Sequence, residues 1–314
     1  MPEGNLFGVA LTPAPGFSLR GCSLDDAHCG SYASGDALGG PQPRFHTMPE
    51  AIEAPSALSI LSGIAKREIL ALQDYSLLSV QAILNVFMPP AYWSDTLEQM
   101  DLIGVGSLPI ILAASLSIGG VLVLNTASQF QRFGMTALTG DAVSLALVRE
   151  LGPTITALLV AGRNASGMAS ELGSMVVTEQ VDAMRALGTD PARKLVTPRV
   201  IATIFVMPLL VAVFDFVGLV GGFIASYFTL RLGAVQFWTR AIDALEFGDL
   251  AQGFMKPLVF GFIVATVGCF QGLRVRGGTQ GVGRATTSAV VISSVLVLVS
   301  DVFLAKLLIY MFQK

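Results

Sequence analysis

Residues 103–124 read IGVGSLPIILAASLSIGGVLVL, an unbroken run without a charged side chain. A helix of about 20 apolar residues crosses the roughly 30 Å hydrocarbon core of a bilayer, so this stretch can span a membrane unaided. Working outward from it, the same reading predicts five spans, over about 101–130, 142–175, 200–229, 250–272 and 286–311. Composition agrees, with 53% hydrophobic and only 13% charged residues, where soluble domains carry about 25% charge. The mean hydropathy is +0.68. A soluble enzyme is thereby excluded, and a net charge of −3 without a basic block gives no support to nucleic-acid binding. The expected fold class is an all-α integral membrane protein.

Upstream of the spans the composition changes twice. Residues 1–47 are rich in Gly, Pro, Ser and Asp and show no sustained periodicity, so they read as a disordered extension or as a misassigned start ahead of Met48. No basic and apolar leader of the secretory kind is evident there. Residues 48–98 form an elbow region. From Ser56 to Met88, Lys66, Arg67, Glu68, Gln73 and Asp74 interrupt the apolar residues, which favours an interfacial helix with a stripe through Leu61, Ile64, Leu72 and Tyr75, ended by Pro89-Pro90. Residues 99–314 carry the spans.

Basic residues orient them. Arg185, Arg193, Lys194 and Arg199 lie between spans two and three, and Arg274, Arg276 and Arg284 between spans four and five. The opposite loops hold Arg132, Arg231 and Arg240. The positive-inside rule then places 176–199 and 273–285 in the cytoplasm, with the N-terminus inside and the C-terminus outside.

The first of these cytoplasmic connections has the pattern of a short helix over about 178–188. Thr178 is a candidate cap, Glu179 and Asp182 fall in the first turn, Arg185 in the last, and Gly188 and Pro191 end it. Val181, Met184 and Leu187 recur on one side. Such a helix is either a structural elbow or a docking element for a soluble partner. The chain itself shows no energy-converting motif: no Gly-Lys pair of a P-loop occurs. Gly277 to Arg284 lacks the strand and lysine of a nucleotide site and reads as a tight turn. Cys22, Cys29 and Cys269 form no metal pattern, and both histidines, His28 and His46, lie in the extension.

Five charges lie inside the spans. At 1.5 Å per residue, Arg149 and Glu150 lie about 10 Å, and Lys256 about 9 Å, below the outer starts of their helices. Asp215 and Asp301 lie about 22 Å above the inner ends of theirs. All five share one depth. Each costs on the order of 3 kcal/mol if it faces lipid, so they should face one another or a wet cavity, as a neutralised clamp or as a headgroup site. Asp215 is expected to pair locally with Lys256 or Arg149.

RELGPTITALLVAGRNASGMASELGSMVVTEQVDAMRALGTDP, from Arg149, resembles the signature region of the MlaE/YrbE family of ABC-transporter permeases. GCFQGLRVRGGTQGVGRATTSAVV, from Gly268 to Val291, is similar to the family's second signature, and the likeness extends over about 56–312. The resemblance implies a homodimeric, non-catalytic permease in the bacterial inner membrane, moving phospholipid or a related lipid. It implies no cofactor in the chain, ATP and Mg being bound by a separate cytoplasmic ATPase, and an MCE-domain protein on the outer face. It makes the short helix a coupling helix, with Val181, Met184 and Leu187 in the ATPase contact and Glu179 and Arg185 at its rim. It places Arg149, Glu150, Lys256 and Asp301 around a lipid cavity at the dimer interface, beside Leu122 of span one. The alternatives are an ion-coupled secondary transporter using Glu150, Asp301 and Lys256, against which the absence of an obvious inverted repeat argues, and a structural anchor, which would need no coupling helix.

Overall fold

Each predicted span becomes a helix in the computed structural model, which describes residues 57–86, 92–230 and 233–312. The expected extension, Pro89-Pro90, both histidines, Cys22 and Cys29 lie outside the described residues. α1 is Ala57–Val86 and α2 is Trp93–Arg132. The second span, Thr139–Val177, runs continuously through α3 (Thr139–Ala146), α4 (Gly152–Val160) and α5 (Ser166–Val177), joined by π-helical turns at Leu147–Leu151 and Ala161–Ala165. After the short α6 (Gln180–Ala186), a further π turn at Ala192–Val196 leads into α7 (Thr197–Leu230). α8 is Ala234–Asp243, α9 Phe247–Leu273 and α10 Gly278–Phe312. The described residues are all-α, with no strand.

The helices are longer than the spans read from hydropathy, because polar ends continue the helix beyond the hydrocarbon stretch. α10 begins directly at the glycine turn, where Gly277 and Gly278 adopt φ +88° and +68°. Pro109, Pro208 and Pro257 sit inside α2, α7 and α9, as membrane helices tolerate when neighbours satisfy the freed backbone groups. Two features differ from the sequence reading. The charges at 66–68 precede Ile69–Val86 in the sequence, and that stretch is apolar and long enough to cross a membrane by length and composition. The described helices meeting that measure therefore number six. Within α1, Leu72 points outward, and the packed side instead carries Ala71, Tyr75, Leu78 and Ala82. Tyr75 shares a 2.9 Å hydrogen bond with Thr266 and packs edge-on against Phe270, both in α9. The described side chains do not include Leu61 and Ile64.

α9 is the central helix, 67% buried over its apolar window, against 28% for α2 and 17% for α10. It packs on α5, α7 and α10. α2 lies along α7, and small residues set that approach: a Cβ at Gly119 would overlap the Gly218 carbonyl, and one at Gly221 the Leu116 carbonyl. Gly119→Ala is therefore expected to push the two helices apart and cost about 1–3 kcal/mol. At neighbouring Gly120 a Cβ would meet nothing closer than 3.6 Å, so Gly120→Ala should be tolerated. Unfolding midpoints of both variants in detergent check the contrast.

α8 was not anticipated from the sequence. Its Phe237 and Ala241 are buried, and Phe237 meets Phe223 of α7 at 5.9 Å between ring centroids. Its apolar residues gather clearly on one side of the helix, but ten residues are too few to span a membrane, and a reading by apolar length passes over them.

Candidate functional site

The polar cluster inside the bundle begins with a proline. Pro153 has no N–H, so the Arg149 carbonyl four residues earlier lacks its ordinary α-helical donor. That carbonyl accepts a 2.9 Å hydrogen bond from the Lys256 ammonium instead. The π turn over Leu147–Leu151 adds a residue to this turn of the span and changes the aim of the side chains around it. Lys256 also donates to Glu150 Oε2 at 2.7 Å. Asp301 Oδ1 of α10 stands 3.1 Å from the same ammonium, near enough to pair in charge but outside hydrogen-bond alignment. The other Asp301 oxygen accepts from the Thr154 hydroxyl at 3.1 Å.

Arg149 and Glu150 point to different partners, as adjacent helix positions must. Arg149 Nε pairs with Asp249 Oδ1 at 3.0 Å. Among the described residues no other N–H of this guanidinium is engaged. Exposure falls steeply through the cluster, from 45% at the Glu150 side chain to 24% at Arg149, 17% at Asp301 and 0% at Lys256. One end of the cluster is sealed and the other is open.

Spans two, four and five thus bring Arg149, Glu150, Lys256 and Asp301 together. Asp215 does not join them, contrary to expectation. Lys256 is already surrounded by Glu150, Asp301 and the Arg149 carbonyl, and Arg149 faces Asp249, so no cation is left for it. Its Oδ1 is packed where a Cβ on Gly152 would sit and has no hydrogen-bond partner among the described residues. Asp249, which the sequence reading missed, takes the expected place. It lies outside the stretch 250–272 counted as hydrocarbon, and its carboxylate also accepts from the Glu246 backbone in a capping box at the start of α9. The available signal was spacing: Asp249, Gln252 and Lys256 recur at three and four residues on one face, and all three are buried. Leu122 is partly buried against the core, with Leu116 and Leu124 45% and 41% exposed on α2.

The coupling segment differs from its expected form in two ways. Thr178 closes α5 rather than capping α6, its hydroxyl donating to the Ser174 carbonyl at 2.9 Å. The residue preceding α6 is Glu179 with φ +59°, a left-handed conformation that costs a non-glycine residue about 1–2 kcal/mol. α6 then has only seven residues, and Gly188 ends it with φ +78°, as the sequence predicted. Val181 is buried in the chain itself, Met184 is partly buried and Leu187 is 83% exposed. Arg185 pairs with Asp182 at 3.0 Å in solvent, and Glu179 is exposed. The three apolar residues therefore do not present one free face. Above this segment, nearly buried Arg199 of α7 pairs with Glu171 of α5 at 2.8 Å and holds the two helix ends together.

Residues 96–307 match the sequence model of the family described as Permease MlaE. A probable ABC transporter permease protein of Rickettsia bellii is 40% identical over 80% of this chain and 98% of its own length. The Arabidopsis thaliana chloroplast protein TRIGALACTOSYLDIACYLGLYCEROL 1 is 36% identical over 72% of this chain and 64% of its own. The intermembrane phospholipid transport system permease protein MlaE of Haemophilus influenzae is 34% identical over 67% and 81% respectively. The family match holds both signature stretches and the whole ion-paired cluster from Arg149 to Asp301. This chain is a multi-pass membrane permease and belongs to the MlaE permease family.

Proposed function

We propose that this chain is the permease subunit of an ATP-driven transporter of phospholipid or a related lipid. Two copies pair around a lipid cavity in the bacterial inner membrane, a separate cytoplasmic ABC ATPase binds and hydrolyses ATP, and an MCE-domain protein exchanges lipid on the outer face. The segments 176–199 and 273–285 are cytoplasmic, and so is the N-terminus, with α1 lying along the membrane interface rather than crossing it. The chain supplies no catalytic group. What supports the substrate class is the naming of the Haemophilus relative for phospholipid transport, and the observation that carries the reading is the one-sided opening of the cluster. A clamp built only for stability would be buried throughout, whereas here Glu150 is half-exposed and Arg149, with only its Nε engaged among the described residues, is partly exposed, while Lys256 is sealed. The guanidinium fork suits a phosphate diester, to which it can donate two hydrogen bonds.

Glu150→Gln is expected to fold, since Lys256 keeps Asp301 and the Arg149 carbonyl, but to transport poorly. Arg149→Lys keeps the charge and loses the fork, and should lower phospholipid copurified per dimer by about tenfold. The measurement pairs lipid content with unfolding midpoint and with ATP-dependent transport in liposomes. Normal transport by both variants would remove the headgroup role. Lowered stability with unchanged lipid content would make the cluster a clamp.

A further inference from the structure

A second polar feature lies in a groove between α7 and α9. Between these helices runs a groove of about 610 Å³, a volume typical of small-ligand sites. Pro208, Val211 and Ala212 of α7 form one wall, and Leu250, Ala251 and Phe254 of α9 the other. Among the described residues, Asp215 is the one ionisable group of the lining, and it falls on the same face of α7 as Pro208, Val211 and Ala212, at helical spacing. Gly152 leaves the room its carboxylate occupies, as any larger residue there would displace it.

The charge around this carboxylate decides what it can hold. The neighbouring cluster contains the cations Arg149 and Lys256 against the carboxylates of Glu150, Asp249 and Asp301. It is therefore one negative charge in excess before Asp215 is counted. Both cations are engaged, so nothing in the described chain neutralises Asp215. An unpaired carboxylate in hydrocarbon is costly and is relieved either by a proton or by a bound cation, while the excess negative charge beside it repels anions. A cation reaching this depth must arrive attached to apolar chains that fill the groove.

We propose that the α7–α9 groove binds an amine-bearing lipid, its primary ammonium on Asp215 and its alkyl chain along Val211 and Phe254. This site is distinct from the Glu150–Lys256 cluster, and it stands whether or not that cluster carries lipid during transport. The shared chemistry is a primary ammonium on an apolar chain, supplied by an aminophospholipid headgroup or by a free long-chain amine.

The test uses the full chain in nanodiscs of equal phosphatidylethanolamine and phosphatidylglycerol, with Phe254 replaced by p-benzoylphenylalanine. Phe254 lines the groove and is 59% exposed, so light-induced adducts sample lipid at this groove together with bulk lipid, and the part that depends on Asp215 reports the site. Phosphatidylethanolamine adducts are expected to exceed phosphatidylglycerol adducts by about tenfold, the worth of one charge-assisted hydrogen bond. With Asp215→Asn the ratio should fall to about one. Ala212→Trp fills the groove and should reduce both adducts. Replacing phosphatidylethanolamine by phosphatidylcholine, whose ammonium cannot donate, should abolish the preference. Dodecylamine that displaces the phosphatidylethanolamine adduct at equal concentration identifies the free amine as an equal source, and failure to displace it assigns the headgroup. Equal adducts in the unsubstituted Asp215 protein overturn the proposal. So does a ratio unchanged by Asp215→Asn, or adducts formed chiefly with a second copy of the chain.

Discussion

Lys256→Met is expected to destabilise the permease by about 3–5 kcal/mol, the cost of removing one partner from a buried ion pair. The ammonium is fully buried and touches three oxygens: Glu150 Oε2, the Arg149 carbonyl and Asp301 Oδ1. Methionine fills nearly the same volume, so the loss is electrostatic rather than a cavity. It leaves two carboxylates facing each other in low dielectric, with a proline-orphaned carbonyl between them. The burden is unequal. Asp301 is 17% exposed and Glu150 45%, so water relieves Glu150 far better. Restoring neutrality in the deep half, with Lys256→Met and Asp301→Asn together, should recover more stability than Lys256→Met with Glu150→Gln. Chemical unfolding in detergent gives the comparison. If Lys256→Met unfolds with the wild-type midpoint, the ammonium does not neutralise this cluster and the geometry built on it is wrong.

That asymmetry also explains which parts of the site could be read from residues alone. The spans were legible because hydrocarbon thickness imposes a length, and runs such as 103–124 meet it without ambiguity. All five charges in the spans could be placed at one depth by counting residues, and four of them, Arg149, Glu150, Lys256 and Asp301, do meet. Partner choice was not legible. Depth gives one coordinate, whereas pairing also needs the angle about each helix, and the π turns at Leu147–Leu151 and Ala161–Ala165 shift that angle within the second span. Asp215 shares the depth and faces another groove. Asp249 escaped because it belongs at once to the start of α9 and to the cluster. α6 shows a related limit, since spacing put Val181, Met184 and Leu187 on one side, whereas the helix ends at Ala186 and Leu187 leaves it.

Leu187→Asp is expected to abolish copurification with the ATPase while leaving the permease as stable as before. Under the proposed function the coupling segment enters a groove of that partner, and its apolar residues must supply the contact. Val181 cannot serve as the test, because at 3% exposure it is packed within its own chain, and an acid there would damage the fold. Met184 is partly buried and would mix both effects. Leu187, 83% exposed beside the Gly188 turn, has apolar surface that nothing in the described chain covers. A surface substitution of this kind changes stability by about 0.5 kcal/mol or less. Burying its carboxylate in a partner's apolar groove costs at least about 2 kcal/mol, or roughly thirtyfold in affinity. Arg185→Ala, at a residue paired in solvent with Asp182, should weaken the complex only slightly, as rim charges do. The measurement is ATPase retained on the tagged permease, alongside its unfolding midpoint and its lipid-stimulated hydrolysis. Full retention with Leu187→Asp would mean that the α6 turn does not enter the ATPase and acts as an elbow between α5 and α7. Loss of retention with an unchanged midpoint separates docking from folding, because the one thing the substitution alters is the surface offered to a partner.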